Sequence, residues 1–96
     1  MIAQQFTALG YQQIGAATLA NATPLTVPAG ANFAIIEAET AAVRWRDDST
    51  APTASVGMSL SNTGSPLEYS GPLAKIQFIA QTGSPILNVS YYKISG

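Results

Sequence analysis

Ala74-Lys-Ile-Gln-Phe-Ile-Ala-Gln-Thr-Gly-Ser-Pro-Ile-Leu-Asn-Val-Ser-Tyr-Tyr92 decides the fold class. Its first limb alternates Ala74, Ile76, Phe78 and Ala80 with Lys75 and Gln77, and only Ile79 interrupts the polar side. Its last limb alternates Leu87, Val89 and Tyr91 with Asn88, Ser90 and Tyr92. A period of two puts every second side chain on one face of an extended strand. The β-branched and aromatic residues enriched here suit such a half-buried pleat. Between the limbs, Gln81-Thr-Gly-Ser-Pro85 carries turn residues, so the passage reads strand, turn, strand.

Working upstream, Val56, Met58 and Leu60 alternate with Gly57, Ser59 and Ser61, and Leu67 and Tyr69 with Glu68 and Ser70. Asn62-Thr-Gly-Ser-Pro66 and Ser70-Gly-Pro72 separate these runs. Gly-Ser-Pro occurs at 64–66 and again at 83–85, but the flanking residues differ, so it is shared turn chemistry and not a repeat. Short strands broken by turns about every ten residues predict a sandwich or barrel.

The first half is less regular. Residues 11–19 read as a strand with a bulge at Gly15, and Leu25-Thr-Val27, between Pro24 and Pro28, as a short edge strand. Residues 33–46 admit two readings: one strand bent near Thr40, or a hairpin turning at Glu39-Thr40. The hairpin would collect Ala34, Ile36, Ala38, Ala41, Val43 and Trp45 on one face and set Glu37 beside Arg44. Glu-Thr is a poor two-residue turn because neither residue tolerates φ > 0 well, which favours the bent strand. Met1–Gly10, carrying Ile2, Phe6 and Leu9, reads as an N-terminal arm ahead of a domain over 11–96. That arm is either a strand of the subunit's own sheet or a clasp on a neighbour. The expected fold is all-β: a single antiparallel β-sandwich, jelly-roll or immunoglobulin-like, of about seven to eight short strands.

Composition removes several functions. The chain has 96 residues, enough for one domain. Hydrophobic residues make up 47%, yet 16 of them are alanines, so the core is modest. Charged residues are 9% against about 25% in an average domain, and the net charge is −1. A surface this poor in charge is weakly protected against association. With no Cys and no His, there is no disulfide framework, zinc cluster, thiolate nucleophile or imidazole base. Arg44, Arg46, Lys75 and Lys93 are dispersed and make no nucleic-acid footprint. No apolar run reaches the roughly 20 residues of a membrane span, and the N-terminus lacks a signal-peptide layout, so a cytoplasmic origin is expected.

Candidate chemistry is thin. Glu37 and Glu39 are the nearest carboxylate pair on one strand face, but solvation or pairing with Arg44 and Arg46 explains them better than catalysis does. Without His, only a Ser–Lys dyad through Lys75 or Lys93 offers a nucleophile. The chain is not expected to be an enzyme, and no cofactor is expected. Asp47-Asp48-Ser49-Thr50 supplies oxygens of the kind Ca²⁺ accepts, yet the EF-hand pattern is absent and such residues cap turns without any metal. Tyr11 and Tyr92 would suit a sugar platform, or the packed edge of an interface. Ile79, Tyr92 and Ile94 on nominally outer faces favour burial between subunits.

Residues 43–60, Val-Arg-Trp-Arg-Asp-Asp-Ser-Thr-Ala-Pro-Thr-Ala-Ser-Val-Gly-Met-Ser-Leu, with Pro66-Leu-Glu-Tyr-Ser-Gly71, Ile76-Gln-Phe-Ile79 and Leu87-Asn-Val-Ser-Tyr-Tyr92, carry a resemblance. An aromatic-Arg-Asp strand end leads into a Pro-Thr loop, a Gly-x-x-Leu strand and a terminal Asn-Val-x-Tyr-Tyr strand. This layout resembles small tailed-phage virion accessory proteins. It covers about half of the chain and none of residues 1–32. The resemblance implies a capsid decoration (cement) protein on the virion surface, assembled in the host cytoplasm, commonly trimeric, and bridging neighbouring major capsid proteins. The alternative it leaves is a tail or head-fibre module that recognises a host surface carbohydrate. Ile2, Phe6 and Leu9 of the arm, Arg44, Arg46 and Asp47, and Tyr92 are the candidate contact residues.

Overall fold

The computed structural model describes residues 5–95. Eight strands follow in chain order: β1 (Gln5–Ile14), β2 (Thr23–Pro24), β3 (Phe33–Glu39), β4 (Val43–Arg46), β5 (Met58–Leu60), β6 (Leu67–Tyr69), β7 (Gln77–Ala80) and β8 (Ile86–Ser95). A single helical turn, α1 (Ala16–Leu19), separates β1 from β2. β1 pairs with β8, β2 with β7, β3 with β6 and β4 with β5, every pair antiparallel. The chain is therefore one long hairpin whose apex is the 47–57 loop. Pairing of β3 with β8 and of β4 with β7 rolls that ribbon into two four-stranded sheets, ordered β1-β8-β3-β6 and β2-β7-β4-β5. This is the topology of a jelly-roll β-sandwich.

The core lies between the sheets and is built by the alternation. Ala34, Ile36 and Ala38 of β3 and Leu87, Val89 and Tyr91 of β8 face Val43, Phe78 and Leu60 across the gap. Among the described residues, none that is buried is polar or charged. Tyr91 puts its ring in the core and donates from its hydroxyl to Gln12 Oε1 at 2.6 Å. Burial pushes that phenol up to about 12.

Four local expectations change. Residues 33–46 form neither a hairpin nor one continuous strand. The chain bends at Thr40 (φ 68°) and crosses from the β1-β8-β3-β6 sheet into the other. Thr40 Oγ1 donates to Glu39 O and Ser84 O at 2.6 and 2.8 Å, which holds this unfavourable φ. The bend also puts Glu37 and Arg44 on different sheets, so they do not pair.

The bulge falls at Leu9, between Ala8 and Gly10, and not at Gly15, which instead caps α1. The edge strand near Pro24 covers 23–24 only, while Leu25 and Val27 leave the ladder to pack on the core. Val56 and Met58 share the parity of Leu60 but lie past the end of the covering sheet and are 53% and 60% exposed. Gln5–Gly10, read from sequence as an arm, forms the first half of β1, in line with the same-subunit strand alternative.

Candidate functional site

The outer face of the β1-β8-β3-β6 sheet divides into an apolar half and a polar half. In the apolar half, register sets Phe6 beside Ile94, and Ala8 and Phe33 on either side of Tyr92. Phe6 meets Phe33 edge-on at 5.4 Å between centroids and Tyr92 at 6.2 Å, and Phe33 lies 6.2 Å from Tyr92. Phe33 is buried beneath these rings although it sits on the solvent side of the sheet, while Phe6 is 52% exposed. Asn32 borders the cluster and behaves as an extra strand residue. Its Oδ1 accepts from Ile94 N at 2.7 Å and its Nδ2 donates to Ile94 O at 3.2 Å.

The polar half centres on Asn88. Its Nδ2 donates to Glu39 Oε1 at 2.7 Å and to Glu37 Oε1 at 3.4 Å. Its Oδ1 accepts from Gln13 Nε2 at 3.0 Å and from the Tyr11 hydroxyl. Tyr11 is 63% exposed. Beyond Glu37 and Glu39 the face opens into a depression of about 350 Å³ lined also by Thr40, Ser61, Asn62 and Ser65. The two carboxylates share the Asn88 amide and face solvent.

The opposite sheet carries the charged loop at the same end as the aromatic cluster, because β3 begins where β4 ends. Arg44 is a clamp for this loop: its Nε donates to Ala54 O at 3.0 Å and its Nη1 to Gly57 O at 2.8 Å. Gly57 is required there. Its φ is 141°, and a Cβ would lie 3.1 Å from Trp45 O and 3.3 Å from Pro52. Arg46 holds Asp48 through two bonds, at 3.0 and 2.5 Å. That partner lowers the Asp48 carboxyl from its ordinary value and raises the guanidinium.

Asp47 turns the other way and accepts from the Tyr69 hydroxyl at 2.5 Å, while Trp45 packs edge-on against the Tyr69 ring at 5.9 Å. Burial, followed by the Asp47 bond and charge, raises the Tyr69 phenol well above its usual value. The oxygens of Asp47 and Asp48 thus serve different partners, and no group of three or more acids suited to a metal exists among the described residues.

Of the candidate contact residues, the structure brings Phe6 and Tyr92 together, puts Leu9 in the bulge, and places Arg46 at the end of β4 and Asp47 at the start of the loop. Arg44 lies under that loop, and Ile2 falls outside the described residues. Sequence reading missed Phe33 and Asn32. Phe33 has inward-looking hydrophobicity on an outward position, and only pairing with β8 reveals the rings that cover it. Comparison with protein-family models, with curated proteins and with solved structures found no match to this chain.

Proposed function

We propose that this protein is a structural component of a tailed-phage virion, a capsid decoration (cement) protein that binds as a homo-oligomer, a trimer, across neighbouring major capsid proteins. The observation that carries this reading is the apolar half-face of Phe6, Tyr92 and Ile94, packed over the buried Phe33, in a chain with only four basic and five acidic residues. Aromatic and aliphatic side chains gathered on one face and free of charge are what an adhesive surface needs. Many weak copies arrayed on a shell add up through avidity. The jelly roll itself occurs in viral coat and lectin domains, an analogy of fold that is compatible with the reading and does not carry it.

The test is reconstitution on heads lacking the protein. The wild-type chain should co-sediment with DNA-filled heads and raise the temperature at which they release DNA. A chain that never associates with heads at saturating concentration refutes the reading.

A second reading has its own observation. Tyr11, exposed beside Gln13, Asn88, Glu37 and Glu39, presents a ring next to acceptors suited to sugar hydroxyls, as a carbohydrate-binding fibre module would. Clear glycan-array hits that vanish in Tyr11→Ala, together with no head binding, would establish it instead.

A further inference from the structure

We infer that the free edge of β1 is a self-association edge, pairing antiparallel with β1 of a second copy about a two-fold axis. The sandwich has four sheet edges, and three of them are blunted. β2 has two residues and ends in Pro24, β5 has three, and β6 has three with Glu68 at its centre. Short edges, prolines and charges are how sheets avoid pairing with other chains. β1 has ten residues, Gln-Phe-Thr-Ala-Leu-Gly-Tyr-Gln-Gln-Ile, with no charge and no proline.

Among the described residues, no hydrogen bond from any segment other than β8 reaches the β1 main chain. The 25–30 segment lies beside β1 at Leu9, Gly10 and the Gln12 side chain without bonding to its main chain. Gln5–Thr7 pairs with β8 beyond the start of β3, so this end of the sheet is a two-stranded ribbon. A two-stranded ribbon is marginal alone. Its β8 margin is closed by Asn32 on Ile94, whereas its β1 margin is open.

The neutrality of the edge selects the occupant. It offers no charge by which to recognise a charged partner, while a second copy meets it without repulsion and closes symmetrically. Size sets the strength. Ten residues span about 34 Å, and with a sheet about 10 Å thick the pairing buries at most about 700 Å² in total. That is below the roughly 1,200 Å² of a stable complex, and the bulge at Leu9 lowers it further. The contact is thus weak and reversible in solution, and forms where copies are crowded. The pairing does not depend on the decoration reading. On a shell it would join neighbouring trimers across two-fold axes.

The chain contains no cysteine, so single-cysteine variants report the contact cleanly. Gln5→Cys, Ala8→Cys and Gln13→Cys are compared with Thr82→Cys in the β7–β8 turn, each checked for native circular dichroism. Under mild oxidation near 1 mM, at least one β1 variant should form disulfide dimer about tenfold faster than Thr82→Cys. In the unmodified chain, amide exchange in β1 should slow as concentration rises, and Ala8→Lys should abolish that dependence. Equal cross-linking rates with concentration-independent exchange overturn the inference. So does β1 protection on heads with no disulfide cross-linking between the β1 cysteines of neighbouring copies there, which would mean that another protein's strand occupies the edge. Either failure leaves head binding, measured separately, untouched.

Discussion

Gly71→Ala tests how the loop end of the sandwich is held together. A methyl at this position would lie 2.5 Å from the Tyr69 hydroxyl oxygen and 2.7 Å from Cζ. The backbone there is outside the left-handed region, so alanine adds no φ strain and the cost is steric. The ring has little freedom to yield. It is buried, Trp45 packs on its edge, and the ladder fixes its Cα opposite Ala34. Overpacking costs about 1–3 kcal/mol, and losing a hydrogen bond to a carboxylate about 1.5–3 kcal/mol. These costs overlap, since a ring that swings away escapes the clash while giving up Asp47, so about 2–4 kcal/mol is expected. At about 4–8 °C per kcal/mol, Tm falls by about 8–32 °C.

Trp45 is the only tryptophan and touches Tyr69, so its fluorescence in a urea titration reports the site directly. The cycle closes with Tyr69→Leu, in which the added methyl meets no ring. Gly71→Ala should then cost under about 0.5 kcal/mol. Stability within about 0.5 kcal/mol of wild type for Gly71→Ala alone, or an equal cost in both backgrounds, would refute the steric account.

Ile36→Ala, at a fully buried position between the sheets, should cost about 2–5 kcal/mol by denaturant titration, and a cost under about 1 kcal/mol would contradict the packing described. Tyr91 ionises later folded than unfolded, so its contribution is complete below about pH 10 and is lost as pH rises toward about 12, at no more than about 1.4 kcal/mol per pH unit. Alkaline unfolding followed by circular dichroism should therefore flatten over that window in Tyr91→Phe. Arg44→Met removes both bonds to the 47–57 loop, and thermolysin should cut between Ala51 and Val56 about tenfold faster while core amides keep their protection. Phe6→Ser should change stability by no more than about 1 kcal/mol, because the ring is half exposed, yet weaken head binding; unchanged head binding would remove Phe6 from the adhesive surface.

Where alternation and burial coincide, the fold is legible in the chain. Leu87, Val89 and Tyr91, with Ile76 and Phe78, occupy the interior their spacing indicates, because sheet lies over them on both sides of the gap. Met58 and Val56 have the same spacing without that cover, and periodicity carries no information about where an opposing sheet stops. In the 33–46 stretch the apolar parity shifts by one residue at Thr40, from Ala34, Ile36 and Ala38 to Val43 and Trp45, and both limbs face one core from opposite sheets. A sandwich corner and a single bent strand leave the same pattern. At the site, Tyr92 is readable as an aromatic residue on an outward position, and Phe6 only as an apolar residue of the N-terminal arm. Phe33 and Asn32 are not, since their roles exist only through pairing with β8.

The bulge at Leu9 links several of these features. In a regular strand Phe6 and Ala8 would share a face with Gln12, and Tyr11 and Gln13 would point into the core. One extra residue shifts the parity, so Phe6, Ala8, Tyr11 and Gln13 all face outward while Gln12 turns inward to receive the Tyr91 hydroxyl. The same residue divides the outer face, with the aromatic cluster on one side of it and the Asn88 network on the other. It also interrupts the one long uncharged edge of the sandwich, which keeps self-pairing weak enough to be reversible. An edge that paired strongly would assemble free chains before any surface was available to receive them. An edge broken in the middle pairs only when copies are already held close.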